Sequence, residues 1–509
     1  MRIPILVSSV VAALAGAGVT ATAAAAPISD VPGLAPWAAT RDLGPAGEQQ
    51  HVVLTLKSHD QPGLDRFLAD PRHPSLSSAE YQARFGPAPS AEQTTEAWLA
   101  GTGLDVRHRP GSQVFSLRGP ATRVGMAFGT ELHRLAGPGG TTVGAIRAGA
   151  LPAPVAEVTA GVAGLAGAAH ARTPARASRA NSPADVHPMG PQDFASFYSV
   201  PAEPSGRGQR VAVVGWTNMD GVVSDLAQFQ QAHKLPQVPM TVDYVDGKPT
   251  AVNDQMEWDL DTQYATAMAP GLDEVHVYAS RSSENTDLTV AFSKWADENA
   301  YPVASASLGD CETDAKDWVG ALEPVLQKAE AQGQTLLAAS GDDGTGCFNG
   351  VPDQRSYPGS SPHAVAVGGT EITDISGHQV TGWSGSGGGE SAALAKPAWQ
   401  TAPIPHGTGK RALPDLSFAA TNYSIVDNGG SNTVAGTSAS TPVIAAFLAR
   451  ARETNPKIGF LGQRLYSLGE SAYTDITSGN NGEPAGPGWD YVTGLGEPAV
   501  TAWLAAVAR

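Results

Sequence analysis

From residue 187 to the C-terminus, short uninterrupted apolar runs alternate with stretches of helical periodicity. Strands that are apolar along their whole length are typical of sheets buried on both faces, and helices between them make neighbouring strands parallel. The alternation predicts an α/β fold with a doubly wound, mainly parallel sheet that binds ligands at its carboxyl edge. The expected strands are residues 210–214, 274–278, 302–308, 334–340 and 364–368, and the expected helices are 223–234, 254–268 and 313–332.

A different pattern precedes this part of the chain. Residues 50–170 contain strand-like runs at 51–57 and 113–118, with helical patterns at 78–85 and 91–101 between them. Local runs of both kinds, without strict alternation, predict a compact α+β unit.

Two further segments belong to neither unit. Residues 168–185 are rich in Ala, Ser, Arg and Pro and cannot bury a core, so we expect an exposed linker that proteases cut readily. Residues 1–26 combine one basic residue, a short apolar core and an Ala-x-Ala exit, which is typical of a secretory signal peptide. No later apolar run is long enough to span a bilayer, so we expect an exported protein without a membrane partner.

The formal net charge of −17 is unevenly distributed. Residues 1–186 carry a net charge of +2, whereas residues 187–509 carry −19. A strongly acidic surface disfavours nucleic acid as a partner, because binding a phosphate backbone needs the opposite sign. The acidity fits a protein that works in acid, where protonation relieves self-repulsion, and it fits simple solubility equally well.

The only two cysteines, Cys311 and Cys347, each follow the end of an expected strand, at 302–308 and 334–340. Parallel strands of one βαβ unit bring their carboxyl ends to the same edge of the sheet. A disulfide is therefore expected in an exported protein, and a loop of this length makes it worth about 4 kcal/mol. Two free buried thiols are the alternative.

Residues 435–446 place Ser438 at the start of an apolar helix, after the turn at Gly436 and with Pro442 where an early helical turn tolerates proline. The unpaired N–H groups and the dipole at this end favour negative charge near the serine hydroxyl. That position suits a nucleophile whose reaction generates an oxyanion, but an ordinary helix cap fits as well. The choice between a nucleophile and a helix cap depends on whether the rest of the chain supplies a base for the serine.

The helix expected at 254–268 carries two carboxylates, Glu257 and Asp261, four residues apart and therefore on one face. Adjacent acids repel when both are ionised, so one proton is retained, and the pair could serve as a general base at acidic pH. A solvated acidic face fits the same spacing, and so does a pairing of Asp254 with Glu257. The buried stripe beside the acids is expected to be Met256, Leu260, Tyr264 and Ala267.

A third acid, Asp342, directly follows the strand expected at 334–340 and points to the sheet edge where an active site is expected. If protonated, it could donate a hydrogen bond to an oxyanion. A turn aspartate before glycine is the alternative, and it explains Asp343 equally well. His406 is a weaker candidate for the base, because it precedes Ser438 closely and no helix follows it.

Taken in chain order, these motifs resemble the sedolisin family of serine-carboxyl peptidases, in its kumamolisin-like form. The resemblance rests on Glu257-x-x-x-Asp261, Ser340-Gly341-Asp342 and Gly436-Thr437-Ser438-Ala439-Ser440. Residues 50–165, with 81–86 and 127–130, resemble the activation prodomain of the family. Further matching segments are 356–362, 366–370, 387–391, 396–400 and 413–417.

The resemblance implies a role for each of four residues. Ser438 is implied to be the nucleophile and Glu257 its base. Asp261 is implied to support Glu257, and Asp342 is implied to be the acid of the oxyanion hole.

The resemblance also implies one bound Ca²⁺ ion near the C-terminus. Carboxylates and backbone carbonyls are the hard oxygen ligands that calcium prefers. The implied ligands are the side chains of Asp475 and Asp490 and the carbonyl oxygens of Ile476, Gly486 and Gly488.

The sequence departs from the family pattern at two positions. Some members extend the catalytic hydrogen bonds with an acid after the first strand of the catalytic domain and a tryptophan near the substrate cleft. This chain has Gly215 and Leu308 at the corresponding positions. We therefore expect the outer network to be absent or rebuilt, which concerns the pH profile and substrate preference more than the reaction.

We expect a secreted, monomeric, acid-active endopeptidase of subtilisin-like fold, made as a self-processing zymogen and acting through an acyl-enzyme at Ser438. Its partners are expected to be peptide or protein substrates and its own prodomain, which acts as an intramolecular inhibitor. The expected segments are a signal peptide (1–26), an activation prodomain (27–168), a linker with the maturation cleavage (169–186) and the peptidase domain with its calcium site (187–509).

Charge is expected to contribute to inhibition, since the basic-leaning prodomain faces an acidic catalytic domain and carboxylate protonation would weaken their attraction. Two other functions use the same residues differently. A catalytically silent homologue could act as a binding protein, and a glycosidase could use the paired acids with Asp342 while leaving Ser438 idle.

Overall fold

The computed structural model describes residues 31–36, 41–137, 140–167, 169–177 and 187–509. The signal peptide expected at 1–26 and the second half of the linker, at 178–186, lie outside these ranges. Within them, no helix is both long and apolar enough to cross a bilayer.

The part of the chain from residue 187 onward is built around an eight-stranded sheet, parallel except for one edge hairpin. The expectation of an α/β, doubly wound, mainly parallel sheet is confirmed, and each of the five strands expected from the sequence is present. In spatial order the strands are Met240–Tyr244, Glu274–Ser280, Arg210–Trp216, Val303–Ala306, Thr335–Ala339 and Val365–Asp374, which pairs with both Gln379–Gly382 and Leu416–Ala419.

Helices cover the sheet and form two separate apolar cores with it. Gln255–Met268 and Thr437–Thr454 pack against each other in one core, and Asn285–Glu298 and Lys316–Ala331 pack in the other. The remaining helices of this part are Pro191–Phe197, Asp220–Ala232, Gly462–Leu465 and Val500–Val507, with 3-10 turns at Phe348–Gly350 and Glu470–Ala472.

The helix Gln255–Met268 differs from its expected form. An amphipathic helix with one buried stripe was expected, but every residue from 257 to 268 is buried. The helix runs between the sheet and a second helix, so neither of its faces is free to meet solvent. The acidic residues of this helix therefore lie in the interior and are not part of a solvated face.

Short strands outside the main sheet shape the loops at its carboxyl edge. Tyr423–Asp427 and Gly430–Ala435 form a hairpin that leads into the helix starting at Thr437, and Arg176–Ala177 pairs with its outer strand. The other short pairs are Asp310–Cys311 with Ser356–Tyr357, Gly346–Cys347 with Val351–Pro352, Gly389–Ala395 with Lys410–Leu413, and Tyr473–Thr474 with Glu497–Pro498.

The N-terminal part is an α+β unit, as the sequence predicts. Its larger antiparallel sheet has the strand order Asp105–His108, Val114–Pro120, Gln49–Leu56 and Thr159–Ala163, and its smaller sheet has the order Arg41–Pro45, Leu132–Gly137 and Gly140–Ala145. The helices are Gln61–Ala69, Ser78–Arg84, Pro89–Leu99, Ala121–Ala127 and Ala153–Val158.

The larger N-terminal sheet packs on two helices of the C-terminal part, Asn285–Glu298 and Lys316–Ala331. The hydroxyl of Thr55 donates a 2.8 Å hydrogen bond to the carbonyl of Ala321. A Cβ atom at Gly161 would lie 2.5 Å from the Gly320 backbone, so glycine is what lets the strand approach the helix this closely. The N-terminal and C-terminal parts thus share a closely packed interface in addition to the chain that connects them.

Cys311 and Cys347 form a disulfide with a Cα–Cα distance of 5.8 Å. The bond joins the loops that follow two adjacent parallel strands and packs with Phe348 in a small apolar cluster. Of the two states compatible with the sequence, the structure has the oxidised one.

Replacing both cysteines in the Cys311→Ser/Cys347→Ser variant should lower the free energy of unfolding by about 4 kcal/mol, because the unfolded chain is then no longer cross-linked. Urea unfolding of the full chain in a Ser438→Ala background, which removes the expected nucleophile and so prevents self-digestion, measures the difference. An unchanged midpoint would contradict a structural role for the bond.

Candidate active site

Four side chains that are far apart in sequence meet at the carboxyl edge of the main sheet. Ser438 lies in the first turn of the helix Thr437–Thr454, and Glu257 and Asp261 lie on the helix packed against it. Asp342 follows the strand Thr335–Ala339. Contacts link the four residues: the Ser307 hydroxyl reaches both Asp261 and the Ser438 carbonyl, and Asp342 accepts a hydrogen bond from Thr437, the residue before Ser438. Besides burial, the charges of Asp261 and Asp342 and the Ser438 hydroxyl also act on the pKa of Glu257.

All four side chains are buried, and each has an oxygen that meets no strict hydrogen-bond geometry among the described residues, although the Ser438 hydroxyl lies close enough to Glu257 to lower its pKa. Most buried polar atoms in native proteins are paired, so such a concentration of unpaired atoms marks a place prepared for another molecule. The atoms are Ser438 Oγ, Glu257 Oε1, Asp261 Oδ2 and Asp342 Oδ2.

The electrostatics of the acid pair follow from its burial. Burial raises the pKa of Glu257 well above its usual value, and the neighbouring charge of Asp261 raises it further. Burial also raises the pKa of Asp261, although the Ser307 hydroxyl, which donates a 2.6 Å hydrogen bond to Asp261 Oδ1, opposes the rise. Two close carboxyls with raised pKa values retain at least one proton over a wide pH range.

The two oxygens of Asp342 are in different surroundings. Oδ1 accepts hydrogen bonds from the Thr437 backbone N–H at 2.8 Å and from the Thr437 hydroxyl at 2.9 Å. Oδ2 accepts none and is the oxygen free to carry a proton. Because burial raises the pKa of Asp342 to about 7, the group is a neutral donor in acid.

Gly436 leaves the space in front of Asp342 open. A Cβ atom at this position would lie 2.7 Å from Asp342 Oδ2 and 3.1 Å from the Cα of Ala175. Glycine is thus required where the acid, the nucleophile turn and the linker come together.

Residues 169–177, the described part of the expected linker, pass through this site; we call them the linker segment. The backbone N–H of Ala175 donates a 3.0 Å hydrogen bond to Glu257 Oε2. The sequence predicts only an exposed linker here, because composition indicates the lack of a core but not the surface on which an extended chain lies.

The structure also resolves the alternatives for the other acids and for histidine. Asp254 is exposed at the start of its helix and accepts a hydrogen bond from Trp216, so it does not pair with Glu257. His406 is an exposed loop residue. Pro442 lies within the helix and lacks the N–H that would bond the Ser438 carbonyl, which the Ser307 hydroxyl approaches at 3.4 Å.

At the two departures, Gly215 and Leu308, the structure places apolar groups. The ring of Trp258 fills the space beside Gly215, where a Cβ atom would lie 2.7 Å from it. Leu308 is fully buried in the apolar core. The hydrogen bond to Asp261 comes from Ser307 instead, a residue that the sequence analysis does not single out although it adjoins one of the two departures.

The residues expected to bind calcium also lie together. The backbone N–H of Gly488 donates to Asp475 at 2.9 Å, and that of Gly486 donates to Asp490 at 2.9 Å. Ile476 follows Asp475 directly and is buried. Among the described residues, neither carboxylate forms an ion pair with a lysine or arginine, so their negative charges are available to a cation, although backbone N–H groups already bond both oxygens of Asp490.

Two family models match the chain. The model of the subtilase family matches residues 260–476, and that of the pro-kumamolisin activation domain matches residues 37–167. The second match covers the α+β unit that packs on the helices Asn285–Glu298 and Lys316–Ala331.

Known proteins match over most of the chain. Sedolisin of Pseudomonas sp. (strain 101) is 30% identical, with 89% of this chain and 86% of that protein covered. Kumamolisin of Bacillus sp. (strain MN-32) is 32% identical, with 90% and 92% covered. The solved structure of Pseudomonas sedolisin, a serine-carboxyl proteinase complexed with pseudo-iodotyrostatin, superposes with a TM-score of 0.59 at 31% identity, covering 63% of this chain and 98% of that one. The chain therefore belongs to the sedolisin family of serine-carboxyl peptidases and is a serine-type peptidase with an activation domain.

Proposed function

We propose that this peptidase is a secreted endopeptidase, active in acid, in which Ser438 is the nucleophile and Glu257 its base. Asp261 supports Glu257 by sharing the retained proton with it, so Glu257 can accept a proton from Ser438 when the shared proton lies on Asp261, and Asp342 stabilises the oxyanion. The observation that carries the proposal is that the linker segment touches Glu257 through Ala175, which also lies beside Gly436 and so next to Asp342 and the turn that carries Ser438.

In the proposed reaction, the proton of Ser438 moves first to Glu257 and then to the leaving amine. Ser438 Oγ attacks the peptide carbonyl and gives its proton to Glu257, while the Oδ2 proton of Asp342 hydrogen bonds to the oxyanion. Glu257 then protonates the leaving amine, and water hydrolyses the acyl-enzyme by the reverse route. The hydrogen bond from Ala175 N–H to Glu257 supports this order, because it brings a backbone nitrogen within 3.0 Å of the proposed base.

Ser438→Ala and Glu257→Gln should each lower kcat/KM for peptide cleavage by at least about 10³-fold, because each removes a group that acts only in the chemical step. Matched controls are Ser440→Ala, whose hydroxyl bonds the carbonyls of Phe418 and Ala419, and the exposed Asp254→Asn. Controls should stay within a few-fold of wild type in a fluorescent peptide assay. Full activity of Ser438→Ala would refute the proposal.

Acid dependence follows from Asp342. Its pKa of about 7 is raised, so the neutral donor is fully present at low pH and is lost as the pH rises through 7. We therefore expect kcat/KM to fall as the pH rises through 7, on the alkaline limb of the pH profile. In Asp342→Asn the amide donates at every pH, so the alkaline limb should flatten while the maximal rate falls about 10²-fold, because an amide is the weaker donor. A pH series of kcat/KM on both proteins tests this, and a limb unchanged by the substitution would contradict it.

We further propose that Asp475, Asp490 and the carbonyl oxygens of Ile476, Gly486 and Gly488 hold one Ca²⁺ ion. The ion would have a structural role, because by binding both carboxylates it would hold the loop around residues 486–490 against the strand at 473–474. The proposal is supported by the carboxylates of Asp475 and Asp490, which lie in one loop region and form no ion pair with a lysine or arginine among the described residues.

Removing calcium with a chelator should lower the Tm of the wild-type precursor by about 5 °C, because a ligand bound only to the folded state stabilises it. Asp490→Asn should abolish the response to added calcium, whereas Asp374→Asn, at the end of the edge hairpin of the main sheet, should keep it. Thermal unfolding with and without the chelator measures both. A wild-type Tm that ignores calcium would contradict the site.

The N-terminal part is proposed to inhibit the enzyme until the linker is cut. Charge contributes to its docking, as the net charges of the two parts suggest. The basic side chains lie on the N-terminal part and their acidic partners on the C-terminal part: Arg107 with Asp246 at 3.2 Å, Arg109 with Asp297 at 2.6 Å, Arg118 with Asp287, and His51 with Asp287 at 2.8 Å.

The ion pairs of Asp287 are not expected to supply the acid trigger that the net charges suggest. Burial would raise the pKa of Asp287, but the hydrogen bond and charge of His51, with the charge of Arg118, lower it to about 2. The stabilisation by this group is present above the ordinary aspartate pKa and is lost only as the pH falls through 2. Acid is therefore proposed to start processing by protonating Asp342, and not by dissolving the interface.

A further inference from the structure

We propose that the linker segment lies in the cleft as a bound substrate, with the Pro174–Ala175 bond at the catalytic residues, and that Asp343 selects substrates with a basic side chain two residues after the cleaved bond. This inference rests on the proposed roles of Ser438 and Glu257. It adds the bond that is cut and a residue that determines specificity.

The segment is held on both sides of the site by backbone pairing. On one side, Arg172 and Gly309 exchange two hydrogen bonds, with N···O distances of 2.8 and 3.0 Å. On the other side, Arg176 and Ala177 pair antiparallel with Ala435 and Val434, next to the nucleophile turn. Added strands of this kind are a common way to bind an extended peptide, because the backbone supplies affinity whatever its side chains.

Between these two pairings, the hydrogen bond from Ala175 N–H to Glu257 fixes the register. This nitrogen belongs to the Pro174–Ala175 peptide bond, and the group it contacts is the proposed proton donor to the leaving amine. Ser438 Oγ would add to the Pro174 carbonyl carbon, and its proton would pass through Glu257 to the Ala175 nitrogen as the C–N bond breaks. Water then releases Pro174 as a carboxylate and restores the serine.

With this register, two arginines occupy defined positions around the bond. Arg176 is the second residue after it, and its guanidinium lies 2.9 Å from Asp343 Oδ1. Arg172 is the third residue before it, and its guanidinium lies over the ring of Phe348 at 5.6 Å. Phe348 packs against the disulfide, which holds this ring in place.

The Asp343 carboxylate forms no other hydrogen bond or ion pair among the described residues, and the turn that follows it is closed by its backbone carbonyl and the N–H of Gly346. Besides burial, the charge of Asp343 also raises the pKa of Asp342. A turn aspartate would use its side chain to bond the turn backbone. The side chain is only 16% exposed even though its partner Arg176 is 62% exposed, so the acid forms a recessed wall of the cleft.

The net charge of the whole catalytic part also favours basic substrates. Residues 187–509 carry a net charge of −19, which attracts basic peptides and raises their local concentration. General attraction does not distinguish one substrate position from another, whereas a contact between Asp343 and the second residue after the bond does. Position-dependent selectivity is therefore the property to test.

The test uses matured wild-type enzyme and two quenched fluorescent peptides, Arg-Thr-Pro-Ala-Arg-Ala and Arg-Thr-Pro-Ala-Ala-Ala. We expect kcat/KM to be about tenfold higher for the first, as one partly exposed charged hydrogen bond allows. In Asp343→Asn the ratio should fall to about one. The control Asp353→Asn removes the same charge from an exposed position nearby and should keep the wild-type ratio.

The possible failures are distinguishable. Equal cleavage of both peptides by the wild type would overturn selection by Asp343 while leaving the serine chemistry intact. Cleavage by Ser438→Ala would overturn the proposed function itself. A tenfold ratio that persists in Asp343→Asn would show that another group reads the basic residue, and it would also overturn the assignment.

The cleaved bond is tested on the precursor. Shifted to acid and sampled by mass spectrometry, its first C-terminal product should begin at Ala175, and Arg176→Glu should slow the appearance of this product about tenfold or more. A first product that begins at another residue would overturn the register. An unchanged rate in Arg176→Glu would overturn the contribution of Asp343 to processing.

Discussion

The packing of the helix Gln255–Met268 against the helix Thr437–Thr454 is the constraint on which the active site depends. It removes Glu257 and Asp261 from water and brings them to the helix start that carries Ser438. In water these carboxyls would be ionised above about pH 4, and they would be poor proton carriers at any higher pH. Burial raises the pKa of both, so the same contact that builds the core also creates the chemistry.

The linker segment uses the surface that this packing creates. Its backbone pairs with the loops on each side of Ser438, and its Ala175 nitrogen contacts Glu257. The N-terminal part is held separately, through its sheet on two helices and through ion pairs to Asp287 and Asp297. The part proposed to inhibit the enzyme and the segment proposed to be its first substrate are thereby consecutive in the chain.

Much of the site could be predicted from the sequence because its motifs are local. The Ser438 turn, the spacing of Glu257 and Asp261, and Asp342 after a strand are each visible in a few residues. Ser307 and Asp343 were not identified, since nothing near them in sequence shows that they face Asp261 or Arg176. The solvated-face alternative for the acid pair was wrong, because periodicity within one helix does not report what packs on its polar side.

By itself, the sequence determined the alternation of strands and helices, the α+β unit before it, and the residue types required for a carboxylate-driven serine, since these follow from local apolar pattern and motif order. Only the tertiary structure decided that the helix carrying the acids is buried on all sides, that the cysteines are joined, and that the linker runs through the cleft. The pKa of a carboxyl and the surface beneath an extended chain depend on groups distant in sequence, so packing alone could settle them.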